Sequence, residues 1–518
     1  MKSQNVLRVF PFILVASILF GQPNSSADFG HRTNAMGGIY SVLDGEGNAI
    51  DIFDVSNGTN FSASHFNEGL NVPIEWQQKY GGADRYAMDV AFRNLEYRGP
   101  DDDHGNKRSW YWVDGVSRIM VDKGFENGFS MRINFNGGYQ TIRKSWQDGY
   151  APWPNEIRHS YSAATLNWDD IAKRATTTGA GSIDPLGEFY ASYHIPIGLS
   201  LSFGGGYSFT EFEDMYYANG WKTSLKGNVA ANRLLFGARW TYPDFSDYFA
   251  LGLNYGIING KVNNEKDEDY LAYEDSDNLF GFQAEFGYPE YLKGALGYQH
   301  KAMEEDYYTS DSDTLADESK DDYSSVDFRL RILGDGLDVP VVLGVDLANW
   351  KTNGESDNVE LEIAENTTAF GISTEPVEDM LTFAAQYEMM TRDYRSLTDD
   401  VEGSLESSRI SFGTEVYPTH VFGVRLGFEI LEVIPDSSYD DIFYGYIFPY
   451  VGPYGRFHFV PDIEKGNAIT GGFVFRLDDD RFLIELSARH YFADEPEIYK
   501  ENGPNCDEAY FGLTYYLK

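Results

Sequence analysis

A two-residue rhythm constrains this chain more than any other feature. In residues 421–431, Phe422, Val424, Leu426, Phe428 and Ile430 alternate with Gly423, Arg425, Gly427 and Glu429. Successive side chains of a strand point to opposite sides, so such a segment is apolar on one face and small or polar on the other. The rhythm returns at 248–258, where Phe249, Leu251, Leu253, Tyr255 and Ile257 alternate with Ala250, Gly252, Asn254 and Gly256. It returns again at 199–209, with Ser200, Ser202, Gly204, Gly206 and Ser208 on the second face. One strand of this kind is ambiguous, but many along one chain describe a wall with lipid outside and water within. The expected fold is all-β: a transmembrane antiparallel up-and-down barrel of about 16–20 strands, with short periplasmic turns and long acidic external loops.

Length does not decide between one large β unit and several smaller domains, since the chain has 518 residues. Composition is more informative. Aromatics are 16% of the chain with 37 Tyr, there are 52 Gly, and the mean hydropathy is -0.41. Rings that favour the membrane interface, diluted by a polar lumen and polar loops, suit an aromatic-girdled barrel. A helical membrane protein needs runs of about twenty apolar residues, and beyond the N-terminus the sequence has none.

Residues 1–27 read as a cleaved export signal: Lys2 and Arg8, an apolar stretch at 9–21, then Ser25-Ser26-Ala27 before Asp28. This places the expected barrel in the bacterial outer membrane. Cys506 is the only cysteine, which excludes a disulfide framework and a CxxC metal or redox pair. With 40 basic against 81 acidic residues the formal net charge is -41, which excludes nucleic acid as a partner because that binding neutralises phosphates. The expected partners are outer-membrane lipid and lipopolysaccharide, a small-molecule solute, and divalent cations at the acidic stretches 265–277, 304–322 and 436–441. No cofactor is expected.

From about residue 185 onward strands end at short turns carrying Pro, Gly or Asp: Pro196, Pro243, Pro289, Gly334-Asp335-Gly336, Pro376, Pro418 and Asp478-Asp479-Asp480. Proline cannot donate to a strand ladder and belongs at such turns. The first three prolines are 47 and 46 residues apart, room for two membrane-crossing strands and one longer loop. Long loops are expected at 259–278, 304–322, 351–366, 393–404 and 493–507, facing outward, with the Pro turns in the periplasm. Both chain ends should lie on the periplasmic side, which requires an even strand count; that holds if 444–454 breaks near Gly452-Pro453 into two strands. Earlier strands are expected at 72–80, 86–97, 110–121 and 129–139, and the polar interval 143–184 as one large external loop. The domain reading is therefore a signal at 1–27, an N-terminal periplasmic or lumenal, hatch-like segment at 28–70, and the barrel at 71–518.

Within that N-terminal segment, Arg32-Thr33-Asn34-Ala35-Met36-Gly37-Gly38, then Asp44 and Asn48 to Asn57-Gly58, stand just after the signal. This resembles the opening of outer-membrane barrels related to the long-chain fatty-acid transporters, where an arginine and an "AMGG" step precede the first strand. The resemblance implies a barrel that passes a hydrophobic solute and an N-terminal segment acting as a hatch. Val55-Ser56-Asn57-Gly58-Thr59 replaces the family's proline-bearing element. The closing stretch, with Phe511, Leu513, Tyr515 and Leu517, looks like a barrel's last strand except that Lys518 replaces the usual terminal aromatic.

The inward faces collect charges of both signs, expected to line the lumen: Arg132, Arg239, Arg329, Arg331, Arg409, Arg425, Arg476 and Arg489 against Glu285, Asp327, Asp346, Glu388, Glu415, Glu429 and Glu485. Such groups either select polar solutes across a pore or pair with one another to solvate the interior. Asp311, Asp313, Asp317 and Glu318, with Glu274, Asp275 and Asp277, offer closely spaced oxygens of the kind calcium favours, but without the glycine and distal glutamate of a twelve-residue calcium loop. No residue is assigned as a metal ligand. No catalytic motif is present: there is no G-x-S-x-G elbow, no H-E-x-x-H pair and no phosphate-binding loop. His300 and His490 read as interfacial histidines, and the chain is not expected to be an enzyme. Two functions follow: a passive channel for a small solute, or a docking barrel of a secretion or attachment system that moves nothing itself.

Overall fold

The computed structural model describes residues 32, 35–39, 41–43, 84–98, 108–125, 129–146, 155–163, 187–195, 197–218, 221–241, 249–264, 270–288, 291–309, 312–334, 339–356, 359–396, 401–435, 450–451, 457–458, 465–477, 482–493 and 505–517, with side chains for part of them. The strands are β1 (Asp84–Arg98), β2 (Arg108–Gly124), β3 (Phe129–Trp146), β4 (Asn155–Ala163), β5 (Gly187–Ile195), β6 (Leu199–Ala218) and β7 (Trp221–Thr241). They continue with β8 (Phe249–Asn264), β9 (Tyr270–Tyr288), β10 (Leu292–Thr309), β11 (Ser312–Leu333), β12 (Val341–Ser356), β13 (Val359–Val377) and β14 (Leu381–Ser396). The last are β15 (Val401–Thr419), β16 (Phe422–Pro435), β17 (Tyr450–Val451), β18 (Phe457–His458), β19 (Lys465–Leu477), β20 (Phe482–Ala493) and β21 (Asn505–Leu517).

Nineteen of these strands form one antiparallel sheet, which closes where β1 pairs β21 from Asp84↔Leu517 to Glu96↔Asn505. Both terminal strands thus share one rim. Two of the nineteen occupy a single wall position: β4 pairs the outer half of β3 and β6, β5 pairs the inner half of the same two strands, and residues 164–186 lie between them in sequence. The wall therefore has eighteen positions, an even number, and a barrel of this size is wide enough to enclose an aqueous lumen.

The alternation predicted from sequence decides which face is which. On β16 Leu426 is 56% exposed while its neighbour Arg425 is 1% exposed. Every strand from β8 to β16 presents an exposed large apolar side chain: Leu253, Phe280, Tyr298, Val326, Leu347, Phe370, Phe383, Phe412 and Leu426. A continuous apolar belt of that extent belongs against lipid, not water. On β8 it runs from Phe249 to Ile257, about 27 Å along the strand and, at a tilt near 40°, about 21 Å across the membrane.

Three expectations are corrected. The segments 259–278, 304–322, 351–366 and 393–404 are mostly strand, because β8–β15 continue past the apolar belt as paired hairpins with connections of a few residues. Cross-strand ion pairs hold these polar extensions: Lys261–Glu274, Lys320–Glu304 at 3.1 Å, Lys351–Glu362 at 2.9 Å and Arg395–Glu402 at 3.1 Å. The interval 143–184 is not one loop, since it contains the end of β3 and all of β4. Finally, β16 pairs β19 directly, and of the expected pair of wall strands at 444–454 the described residues, Tyr450 and Val451, pair instead with β18 in a separate two-stranded sheet. The even count arises instead from the two-piece wall strand. Expected strand 72–80 and the signal at 1–27 lie outside the described residues.

Candidate functional site in the barrel interior

Inside the wall, small residues line up from strand to strand. Gly344 of β12 is register-paired with Gly371 of β13, Ala384 of β14 with Gly413 of β15, and Gly413 with Gly427 of β16, which pairs Thr470 of β19. A glycine inside a strand often marks close approach of another backbone. Here the approaching backbone is the N-terminal segment. A Cβ on Gly427 would overlap the main-chain nitrogen of Gly37, one on Gly413 would stand 2.5 Å from the Met36 carbonyl oxygen, and one on Gly344 would overlap that of Ser41.

The segment's own sequence shapes it to this track. A single helical turn, closed by Met36 N–H donating to the Arg32 carbonyl at 3.0 Å, ends at Gly37 and Gly38, both with positive φ (75° and 80°). Glycine adopts that conformation without penalty. At Gly37 a side chain is also excluded by the wall, because its Cβ would lie 2.9 Å from the Phe412 carbonyl oxygen. Met36, Ile39, Val42 and Leu43 then form a small buried cluster with Ala384 and, at its edge, Val342.

Wall side chains satisfy the main chain of this segment. Thr470 Oγ1 accepts from Gly37 N–H and donates to the Ala35 carbonyl, both at 2.9 Å. Gln386 Oε1 accepts from Ser41 N–H at 3.0 Å, and Arg331 donates to the carbonyls of Ser41 (3.1 Å) and Leu43 (3.0 Å). Arg32 Nη2 reaches Glu415 Oε2 at 2.5 Å. Unpaired backbone groups in a dry interior are costly, so these bonds permit an irregular chain to sit there.

Charge pairs flank the segment. Nearer the β15–β16 turn, Arg425 donates to Glu415 (2.6 Å) and Glu485 (2.8 Å); Tyr417 O–H donates to Glu415 at 3.1 Å, and Arg476 donates to the Tyr417 oxygen at 3.0 Å with its guanidinium 4.4 Å from the ring centre. Toward the outside, Arg409 pairs with Glu388 at 2.6 Å and lies 3.9 Å from Glu429, which Arg489 holds at 2.9 Å. Arg329 and Asp346 face each other at 3.4 Å. Several of these are direct cross-strand partners: Arg329↔Asp346, Glu388↔Arg409 and Glu415↔Arg425.

Of the fifteen residues expected inside, Arg329, Arg331, Asp346, Glu388, Arg409, Glu415, Arg425, Glu429, Glu485 and Arg489 are buried, and Arg476 is half-buried. The side chains of Arg132, Arg239, Glu285 and Asp327 lie outside the described set. Sequence reasoning missed Thr470, Gln386, Tyr417 and the seating role of the glycines; the signal available was glycine on the polar face of consecutive strands. Glu274 is paired with Lys261. Among the described residues no group of three or more His, Cys, Asp or Glu could hold a metal ion. His300 Nε2 lies 3.8 Å from Asp322, level with Phe280 of the apolar belt.

No family model matches the chain, and no curated protein sequence is significantly similar to it. Solved structures to which the chain shows similarity include a deltaS2S3 mutant of the monoaromatic hydrocarbon channel TodX (11% identity over 95% of this chain and 99% of that one, TM-score 0.37). They also include OccK7 of Pseudomonas aeruginosa (11%, 84% and 98%, 0.36) and the copper transporter OprC (9%, 84% and 81%, 0.42).

Proposed function

We propose that this chain is a passive channel of the bacterial outer membrane, that it carries a small solute through the barrel, and that residues 32–43 plug the lumen. The observation that carries this reading is the N-terminal segment seated inside the wall on a glycine track, with an apolar cluster of its own and six hydrogen bonds or ion pairs to wall side chains. A docking barrel that moves nothing has no use for a fitted occupant of its lumen. The resemblance of the Arg32 to Gly38 stretch to long-chain fatty-acid transporters supports a hydrophobic solute, and the apolar cluster of Met36, Ile39, Val42 and Leu43 is where such a solute would compete.

The charged interior supports the same reading: nine of the expected lumen residues pair with one another in Arg–Glu or Arg–Asp contacts and hold the wall around the plug. The test is ion conductance in planar bilayers for the chain with and without residues 28–70. The channel reading predicts low conductance for the whole chain and a large increase on deletion. Silence in both forms, with a surface protein copurifying, would favour the docking barrel instead.

A further inference from the structure

Within the plug reading, the ion pair at Glu415 stands apart from the other seat contacts. Its two carboxylate oxygens face different bodies: Oε1 takes Arg425 of the wall and Oε2 takes Arg32 of the segment. Without Arg32, the wall keeps its charges matched. Glu415 retains Arg425 and the Tyr417 hydroxyl, Glu485 retains Arg425, and Arg476 retains Tyr417. Two positive and two negative side chains remain, so removing Arg32 strands no buried charge, the circumstance that makes broken buried pairs destructive elsewhere.

Three serines mark the seat. Among the described residues, the buried hydroxyls of Ser41, Ser411 and Ser487 have no hydrogen-bond partner. Ser41 belongs to the segment; Ser411 is register-paired with Gln386, which holds Ser41, and the Ser487 Cβ lies against the position a Gly472 side chain would share with Ala35.

We infer that Glu415 is a latch: residues 32–43 detach from the wall as a unit when the Arg32–Glu415 pair opens, and the wall cluster around Arg425 persists unchanged. This rests on the plug reading and assigns its release to one contact. Among the described contacts Arg32 is the charged side chain that the segment itself offers to the wall; Arg331 of the wall donates to main-chain carbonyls of Ser41 and Leu43, and the remaining contacts are bonds of neutral side chains to the segment's main chain and apolar packing.

Single-channel recording on the full chain tests it with Arg32→Gln, Glu415→Gln, the double variant, Arg32→Lys, and the chain lacking 28–70. A charge-assisted bond lost from the closed state raises the open-to-closed ratio about tenfold or more. Each single substitution should produce that rise, the double should rise no further than either single, and Arg32→Lys should recover part of the closed fraction. Arg32→Gln alters only the segment, so a folding defect of the wall cannot mimic the result. If deletion of 28–70 opens the barrel but the single substitutions leave gating unchanged, or if their effects simply add, the latch is overturned while the plug stands. If deletion changes nothing, the plug reading falls and takes the latch with it.

Discussion

Placing a side chain at Gly427 should open the barrel without unfolding it. The Cβ of a Gly427→Val variant would collide with the Gly37 nitrogen, the Thr470 hydroxyl and the Met36 carbonyl carbon, and most of those atoms are main chain that no rotamer change can move aside. The segment must lift from the wall, which breaks the two Thr470 bonds to Gly37 and Ala35. At about 1 kcal/mol each, that is roughly 2 kcal/mol against the seated state, or about a thirtyfold shift toward the open form. The packing of Met36 on Gly413 adds to it. The barrel itself should tolerate the change, since the added methyls point into the lumen and β16 keeps its ladders to β15 and β19. Gly471→Ala is the matched control, because its Cβ would meet its nearest neighbours at 3.5 and 3.6 Å, ordinary contact distances. Conductance in planar bilayers reads the outcome, and retained heat-dependent gel mobility reports an intact barrel. A folded Gly427→Val channel that conducts no more than the Gly471→Ala control would refute the seating geometry.

Two further outcomes follow. Arg409→Leu leaves Glu388 buried without its 2.6 Å partner, so stability in denaturant titration should fall by about 3–5 kcal/mol, whereas replacing Arg409 and Glu388 together by leucine should cost much less. Tyr308 lies on β10 ten residues beyond Tyr298, outside the apolar belt; partial burial, then the carboxylates of Glu274 and Asp306, hold its phenol above the usual tyrosine value. The neutral phenol is the form the fold favours, so this contribution is present below the ordinary tyrosine value and is lost as pH rises through the raised one. Difference absorbance against Tyr308→Phe should show late ionisation, and Glu274→Gln should bring it earlier.

The barrel was legible in the sequence because its cause is local: a wall between lipid and water forces period two, and residues such as Leu426 and Arg425 report their faces without reference to anything distant. The same locality explains the error at 304–322. Its acidic composition reads as loop, yet β10 and β11 stay paired there, with Lys320–Glu304 closing across strands. Charge on both faces hides a strand from a reading based on hydrophobic alternation. The site was half legible. Arg425 and Glu415 announce themselves as inward charges, but that they face each other depends on the register between β15 and β16, which no single strand encodes. The seat for residues 32–43 was less legible still, because contacts such as Gly37 to Thr470 and Arg32 to Glu415 span some four hundred residues of chain. The glycines that admit the segment look, in isolation, like the small residues any inward face carries.

The account depends on one geometric claim, that β16 and its neighbours form a wall wet on one face and in lipid on the other. Spin labels placed singly at positions 424 to 430, in a chain whose Cys506 is replaced by serine and reconstituted in bilayers, measure this directly through relaxation by oxygen and by a water-soluble paramagnetic reagent. Labels at 424, 426, 428 and 430 should be reached by oxygen from the lipid, and labels at 425, 427 and 429 should not, an alternation of period two. Uniform accessibility along the strand, or the opposite phase, would contradict it.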